Sequence, residues 1–308
     1  MKLGLGLSLT SLQRRRATPA FDPSASGGIE TVITQGGKFY RVHTFLSGGA
    51  LTVTGGDLDV EYLVVAGGGG GGGTSTNGTG GGGGGGYLKF VSGEGDNNAS
   101  ALSLAPGTHS IGIGTGGVAG ADAERGIKGG DTTAFDLSAV GGGGGGAAGS
   151  GSRDGGVGGS GGGGHYINGL GGAGTVPQGK SGGNGGLAAD FGLRSGGGGG
   201  GALQVGQAGL IGAGGKGGDG VQSAIAGSSA AFCGGGGGGS QDTGGGGGLG
   251  GGATGNSSVA ALANTGGGGG GTASGGEAGF DNPSGAGGSG IVIVRYQISQ
   301  AEYEAETA

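Results

Sequence analysis

Few residues of this 308-residue chain are of types that do chemistry, and their spacing argues against catalysis. Gly174-Thr175-Val176-Pro177-Gln178-Gly179-Lys180-Ser181 fits the phosphate-loop pattern G-x-x-x-x-G-K-S. That pattern works when a buried strand leads in and a helix N-terminus follows. Gly171-Gly172-Ala173 and Gly182-Gly183-Asn184-Gly185-Gly186 supply neither, so the match reads as coincidence. His43, His109 and His165 are isolated, with no His, Cys or carboxylate at metal-ligand spacing. Glu94, Asp96, Asn97 and Asn98 offer the oxygen ligands calcium takes, but without EF-hand spacing, and a solvated turn is expected. Cys233 is the single cysteine; it cannot form an intramolecular disulfide and reads as a small buried filler. With no Ser-His-Asp set and no placed pair of carboxylates, neither an enzyme nor a cofactor or metal is expected.

Binding remains. Aromatic, amide and charged side chains interrupt the glycine tracts at His165, Tyr166, Ile167 and Asn168, at Phe191 and Arg194, at Gln204, at Phe232, and at Phe280, Asp281 and Asn282. Such residues on rigid loops are what a surface-ligand reader uses. Tyr166, flanked by His165 and Asn168, is the foremost exposed candidate. Phe191, Phe232 and Phe280 are expected to plug the ends of the glycine segments.

Glycine supplies 105 residues and tryptophan none, and hydrophobic residues are 32%, too few for one large apolar core along the whole length. The net charge of −6 argues against a phosphate-binding surface, so no nucleic-acid partner is expected. No apolar stretch is long enough to span a membrane. Lys2 and the apolar stretch 3–12 resemble a secretory signal superficially, but glycine alternates through it and Arg14, Arg15 and Arg16 follow, which opposes export. The expectation is an extended arm that carries Leu3, Leu5, Leu7 and Leu9 on one face and docks, with its three arginines, onto a partner.

Residues 1–27 form this docking arm. Residues 28–115 read as a β-rich domain, a meander of alternating strands at 29–33, 38–45, 51–54 and 58–66, another strand at 87–91, and a pair at 101–104 and 109–113 joined through Pro106-Gly107. Between 116 and 289 conventional elements vanish. The run Ile291-Val292-Ile293-Val294-Arg295-Tyr296 then needs partners on both sides, and the strand 290–296 is expected to insert into the N-terminal sheet and complete it. The acidic tail 297–308 is expected to fray or to bind a partner.

The glycine segments of 116–289, with those at 67–73 and 80–86, come in two kinds. Pure runs lie at 67–73, 80–86, 141–146, 196–201, 234–239, 244–248 and 266–271. Others carry a side chain at every third position: Val157 and Ser160; Leu170, Ala173 and Val176; Ser181, Asn184 and Leu187; Leu210, Ala213, Lys216 and Asp219; Ala286 and Ser289. Three is the period of the polyproline-II helix, which rises about 3.1 Å per residue and makes no internal hydrogen bonds. Packed side by side, such helices satisfy one another's amides and carbonyls. An interior helix meets backbone in all three directions and admits only glycine, whereas a perimeter helix frees one direction in three. Pure runs are therefore expected inside and G-G-X segments at the rim, in a slab about 19 Å thick. The alternative is a flexible Gly/Ser linker. Fixing a glycine costs about 1–2 kcal/mol and a buried hydrogen bond returns about 0.5–1.5, so the balance is close. The similar run lengths and the strands that lead straight into them favour order. Collagen is excluded by the missing Gly-X-Y repeat and only 5 prolines. The fold class expected is all-β plus polyglycine-II: a small antiparallel β domain closed by the C-terminal strand, with a packed bundle of polyglycine-II helices.

Four segments carry a family resemblance in order: the lead-in Tyr40-Arg41-Val42-His43-Thr44-Phe45, the strand 60–66 running into glycine, Leu102-Ser103-Leu104-Ala105-Pro106-Gly107, and the closing 288–296. Over 38–296 the chain resembles bacteriophage glycine-rich tail and fibre proteins and, more broadly, adhesins built as polyglycine-II sandwiches whose distal loops contact host receptors. The resemblance implies a virion protein at the tail tip or fibre, a homo-oligomer for which tail-fibre symmetry suggests a trimer, and host-receptor binding through loop residues; the arm lies outside the matched region, and its docking onto other tail or baseplate proteins is read from its own residues. The loop residues proposed for that role are His165, Tyr166, Asn168, Arg194, Gln204, Asp281 and Asn282. A purely structural head fibre or decoration protein is the alternative, and an ice-binding protein a remote one, since the every-third positions form no regular Thr or Ala face.

Overall fold

The alternating segments near the N-terminus form strands, but they divide between two sheets rather than running as one meander. The computed structural model describes residues 23–73, 77–149, 151–186, 194–273 and 283–308, and among these the protein is mostly β, with antiparallel sheets and one short helix. Residues 1–22 of the docking arm, with Leu3, Leu5, Leu7, Leu9, Arg14, Arg15 and Arg16, lie outside the described residues, and residues 24–26, near its end, form a strand of one of the sheets. The strands are β1 (Ser24–Ser26), β2 (Ile29–Gln35), β3 (Lys38–Phe45), β4 (Gly49–Thr54), β5 (Leu58–Val65), β6 (Tyr87–Phe90), β7 (Leu102–Leu104), β8 (Gly107–Gly112), β9 (Thr132–Ala134), β10 (Leu137–Ala139), β11 (Val221–Ser223), β12 (Ala230–Phe232) and β13 (Ile291–Ile298). One sheet has the order β1-β4-β8-β9-β10, another β2-β3-β13-β5-β6 with β7 on β5, and β11-β12 is a separate hairpin.

β13 explains its own sequence. It pairs with β3 on one edge, from Val292↔Phe45 to Ile298↔Phe39, and with β5 on the other, from Ile291↔Val65 to Arg295↔Glu61. Val292, Val294, Tyr296 and Ile298 pack between the two sheets with Leu51, Val53, Val60, Tyr62 and Val64. Ile291 and Ile293 face the other way and pack with Val42, Leu63, Val65, Tyr87 and the β11-β12 residues Val221, Ile225 and Phe232. A strand buried on both faces reads as a continuous apolar run, and each fully buried Val or Ile contributes roughly 1.5–3 kcal/mol.

Three expectations are corrected. β7 and β8 do not pair: β7 lies on β5 and β8 between β4 and β9, so the chain crosses from sheet to sheet at Pro106-Gly107, where Gly107 has φ +148°. Conventional elements also do not vanish after 116. The β9-β10 hairpin turns through Phe135 and Asp136, both left-handed (φ 54° and 60°), a two-residue turn made without glycine. The tail does not fray: β13 extends to Ile298 and α1 (Gln300–Thr307) follows, capped by Ser299, which accepts from the Glu302 amide while Glu302 accepts from the Ser299 amide. Tyr303 of α1 packs on Phe39 with ring centroids 4.8 Å apart.

In the glycine segments the hydrogen-bond direction repeats every three residues. Gly67, Gly70 and Gly73 donate to the carbonyls of Gly130, Ile127 and Glu124; Gly68 and Gly71 to Gly288 and Gly285; Gly69 and Gly72 to Gly83 and Gly80, all at 2.8–3.0 Å. Run 80–86 is bonded to six segments, 66–73, 141–146, 160–165, 196–201, 234–239 and 266–272, which bond to one another in a closed ring. These pure runs are buried along their length. Run 244–248 is the exception: Gly245 and Gly248 are buried, but Gly246 is exposed and a β-carbon there would meet nothing within 4 Å. It lies at the rim, which permits a side chain without requiring one. Val157, Leu170, Val176 and Leu210 face solvent, whereas Ser160, expected at the rim, is fully buried because it opens the interior segment 160–165. Leu187 lies outside the described residues.

Candidate functional site

The glycine segments alternate in direction, and this sorts the loops into two poles. The run after β5 leaves the sheets and 80–86 returns to β6, in the antiparallel register Ala66–Gly86, Gly69–Gly83 and Gly72–Gly80. At the sheet pole, Pro23 lies with Ile298, Ser299 and Glu302 around a cavity of about 340 Å³, so the connection to residues 1–22 and α1 emerge side by side, away from the bundle. The opposite, distal pole is built from the turns that join outgoing segments to returning ones, including 147–153, 166–169, 210–213 and 240–243.

At the distal pole the ends of the interior segments are sealed by small polar side chains. The Thr79 hydroxyl shares its proton between the Gly72 and Thr272 carbonyls (2.9 and 3.0 Å), and Ser195 donates to Ser240 (2.9 Å); Thr79, Thr272, Ser195 and Ser240 are all fully buried. Beside this layer the protein gathers His165, Tyr166 and Arg194. The Arg194 guanidinium lies over the Tyr166 ring at 5.0 Å and donates to the Tyr166 hydroxyl (3.1 Å) and to Asn77 Oδ1 (3.2 Å). Tyr166 is 9% exposed and His165 wholly buried, so neither is the free loop reader expected from sequence. Their turn folds back, with the His165 amide on the Arg153 carbonyl and the Tyr166 amide on the Gly78 carbonyl. Neither His165 ring nitrogen has a hydrogen-bond partner, and burial, with Arg153 nearby, pushes its pKa down to about 4, so the imidazole is neutral at pH 7.

The accessible part of this pole is next door. Gly151, Arg153, Asp154, Ile167 and Asn168 line an open cavity of about 460 Å³. Asn168 is exposed at φ 51°, and Asp154 is fixed by accepting from the Leu170 amide (2.8 Å). A guanidinium, a carboxylate and a carboxamide around an aliphatic side chain can hold a polar ligand by hydrogen bonds. Gln204 is elsewhere, exposed at the sheet pole beside the turn that follows Gly201. Asp281 and Asn282, like Phe191 and Phe280, lie outside the described residues. Sequence reasoning missed Asn77, Arg153 and Asp154, although the breaks in glycine between 73 and 80 and between 146 and 155 marked their loops.

Several of the remaining chemistry-bearing residues make contacts that tie segments together. The 174–181 loop has neither a strand before it nor a helix after it; Gln178 accepts from the Val140 amide (2.8 Å) and donates to the Ser138 carbonyl (3.0 Å). The Glu94–Asn98 loop is not simply solvated. Glu94 accepts from the Ala224 amide (2.7 Å) and from Lys89 Nζ (3.2 Å), and Lys89, 1% exposed, also reaches the Gln222 carbonyl (3.1 Å). The loop thus ties the sheet to the β11-β12 hairpin. Cys233 is buried and its thiol pKa is driven up by burial. Among the described residues no three His, Cys, Asp or Glu side chains are grouped to hold a metal ion, and no helix is long and apolar enough to cross a membrane.

A family described as a glycine-rich domain matches residues 44–297, well over half the chain. The chain belongs to the glycine-rich domain family. The match begins inside β3 and ends inside β13, so it takes in the glycine segments together with most of the strands that carry them. No curated protein matches this glycine-rich domain protein in sequence.

Proposed function

We propose that this glycine-rich domain protein is a bacteriophage virion component of the tail tip or fibre, in which a bundle of polyglycine-II helices holds a ligand-reading pole away from an attachment pole. One observation carries this reading: the connection to residues 1–22 and α1 emerge at the sheet pole, while Arg153, Asp154, Ile167 and Asn168 line an open cavity at the other. The three-residue repeat of hydrogen-bond direction supports polyglycine-II geometry, because a helix of three residues per turn aims successive amides at three different neighbours. The resemblance of the strand and glycine segments to tail proteins supports the virion location, and the alternating leucines and three arginines of the arm support attachment through it.

Fluorescently labelled protein incubated with a panel of bacterial strains tests the reading. Binding to some strains at micromolar concentration is expected, with loss on Ile167→Asp and Asn168→Ala at an unchanged melting temperature. Binding to none favours the purely structural virion component, which the exposed rim residues Val118, Ile127, Val157 and Leu170 would suit as lateral contacts. Slow amide exchange across 141–146 and 266–271 is expected of buried polyglycine-II helices, and random-coil rates there would remove the bundle from the proposal.

A further inference from the structure

The sheet edges differ sharply in how they are protected. Edge strands are normally blunted by shortness, Pro, Lys or a bulge, because their free backbone groups pair with other chains. β1 is three residues long and follows Pro23, and β10 is also three residues long. β6, at four residues, lies against β10. β2 is seven residues long, IETVITQ, with no Lys, no Pro, no bulge in its seven-pair register with β3, and no buried residue. Ile29 is 56% exposed. Gly36 and Gly37, both left-handed (φ 59° and 76°), make the tight two-residue turn that joins β2 to β3 in register, and among the described residues β3 is the one strand paired with it.

We infer that the β2 edge is a homodimer interface, at which β2 pairs antiparallel with β2 of a second copy to join the two β2-β3-β13-β5-β6 sheets across a two-fold axis. The strand is suited to its own copy. A two-fold axis perpendicular to the sheet preserves its faces, so one residue must pair with itself. Full overlap of Ile29–Gln35 makes that residue Val32. Thr31 then faces Ile33 of the other copy, and Glu30, the strand's single charge, faces Thr34 instead of another carboxylate. Glu30 is already held within its own subunit, where it accepts from the Gly27 amide (3.0 Å) and lies 3.7 Å from His43. Joining the edges leaves no like charges opposed and pairs the longest free edge. This inference is independent of the virion reading and replaces the trimer suggested by resemblance with a dimer.

Cysteine cross-linking of the full chain is the test, and it has little background because Cys233 is buried with its thiol pKa raised. Directly opposed residues lie about 4.5–5.5 Å apart, within disulfide reach. Val32→Cys is expected to give a covalent dimer under mild oxidation, whereas Thr34→Cys, facing Glu30 of the other copy, gives none. Light scattering of the unmodified protein at micromolar concentration should give twice the chain mass, and Val32→Lys should halve it while the chain stays folded by circular dichroism. Should Val32→Lys fail to fold, the two cysteine variants still decide. A monomer or trimer by light scattering, a dimer that survives Val32→Lys, or equal cross-linking of the Val32→Cys and Thr34→Cys variants overturns the inference.

Discussion

A methyl group added at Gly83 tests whether the glycine runs are obligatory. A β-carbon there would lie 2.7 Å from the Gly161 carbonyl oxygen and closer still to that of Ser160, where about 3.5 Å is comfortable. Relief requires segment 160–165 to move off 80–86. The bonds at stake are Ser160 to the Gly84 carbonyl (3.0 Å) and Gly163 to the Gly81 carbonyl (2.8 Å). Each buried polar group left unsatisfied costs about 1–3 kcal/mol, so losing these two bonds, which strands two amides and two carbonyls, destabilises by about 4–12 kcal/mol. Against a typical domain stability of about 5–15 kcal/mol that is a large loss. Gly246→Ala is the matched control: nothing lies within 4 Å of its β-carbon, and reduced unfolded-state freedom should stabilise by about 0.5 kcal/mol. Urea titration followed by tyrosine fluorescence measures both. A difference below about 1 kcal/mol between the variants would falsify the packing argument.

Acidification should weaken the distal pole. The His165 pKa is lowered to about 4 from 6.5, so the unfolded chain binds more protons between these values, and up to about 3 kcal/mol is lost as pH falls through that window. His165→Leu should remove most of this slope in pH-dependent melting; some remains, because burial lowers His43 as well. Glu61→Leu should cost about 3–5 kcal/mol by stranding Arg295, which is 3% exposed and held at 2.7 Å, and a loss under about 1 kcal/mol in urea titration would count against a structural ion pair. Ser299→Ala should cost α1 about 1 kcal/mol, read as faster amide exchange at 300–307 with 291–298 unchanged.

The alternating strands β3, β4 and β5 were legible because each has a buried face, and the pure runs because only glycine tolerates backbone on every side. The split into two sheets was not, since the side chains of β4 and β8 alternate in the same way whichever strand they join. The β9-β10 hairpin was hidden because Phe135 and Asp136, not glycine, take its left-handed positions. The Ser299-x-x-Glu302 cap was readable and overlooked in an acidic tail. At the site, residue types pointed to the right turn, but nothing in His165-Tyr166 tells that Arg194, 28 residues on, covers the ring. Exposure there depends on which segments become neighbours, which is a property of the lattice of runs and not of any one of them.

The three-residue rhythm of the backbone bonds sets how this chain can change length. Removing one residue from 80–86 would put every later amide of that run out of the three-residue repeat, away from Gly143 or Gly197 and toward the wrong neighbour. Removing three would restore each bond one repeat along. Insertions and deletions inside the runs should therefore survive only in multiples of three, while the turns between them can take any length, a reading frame written in hydrogen bonds.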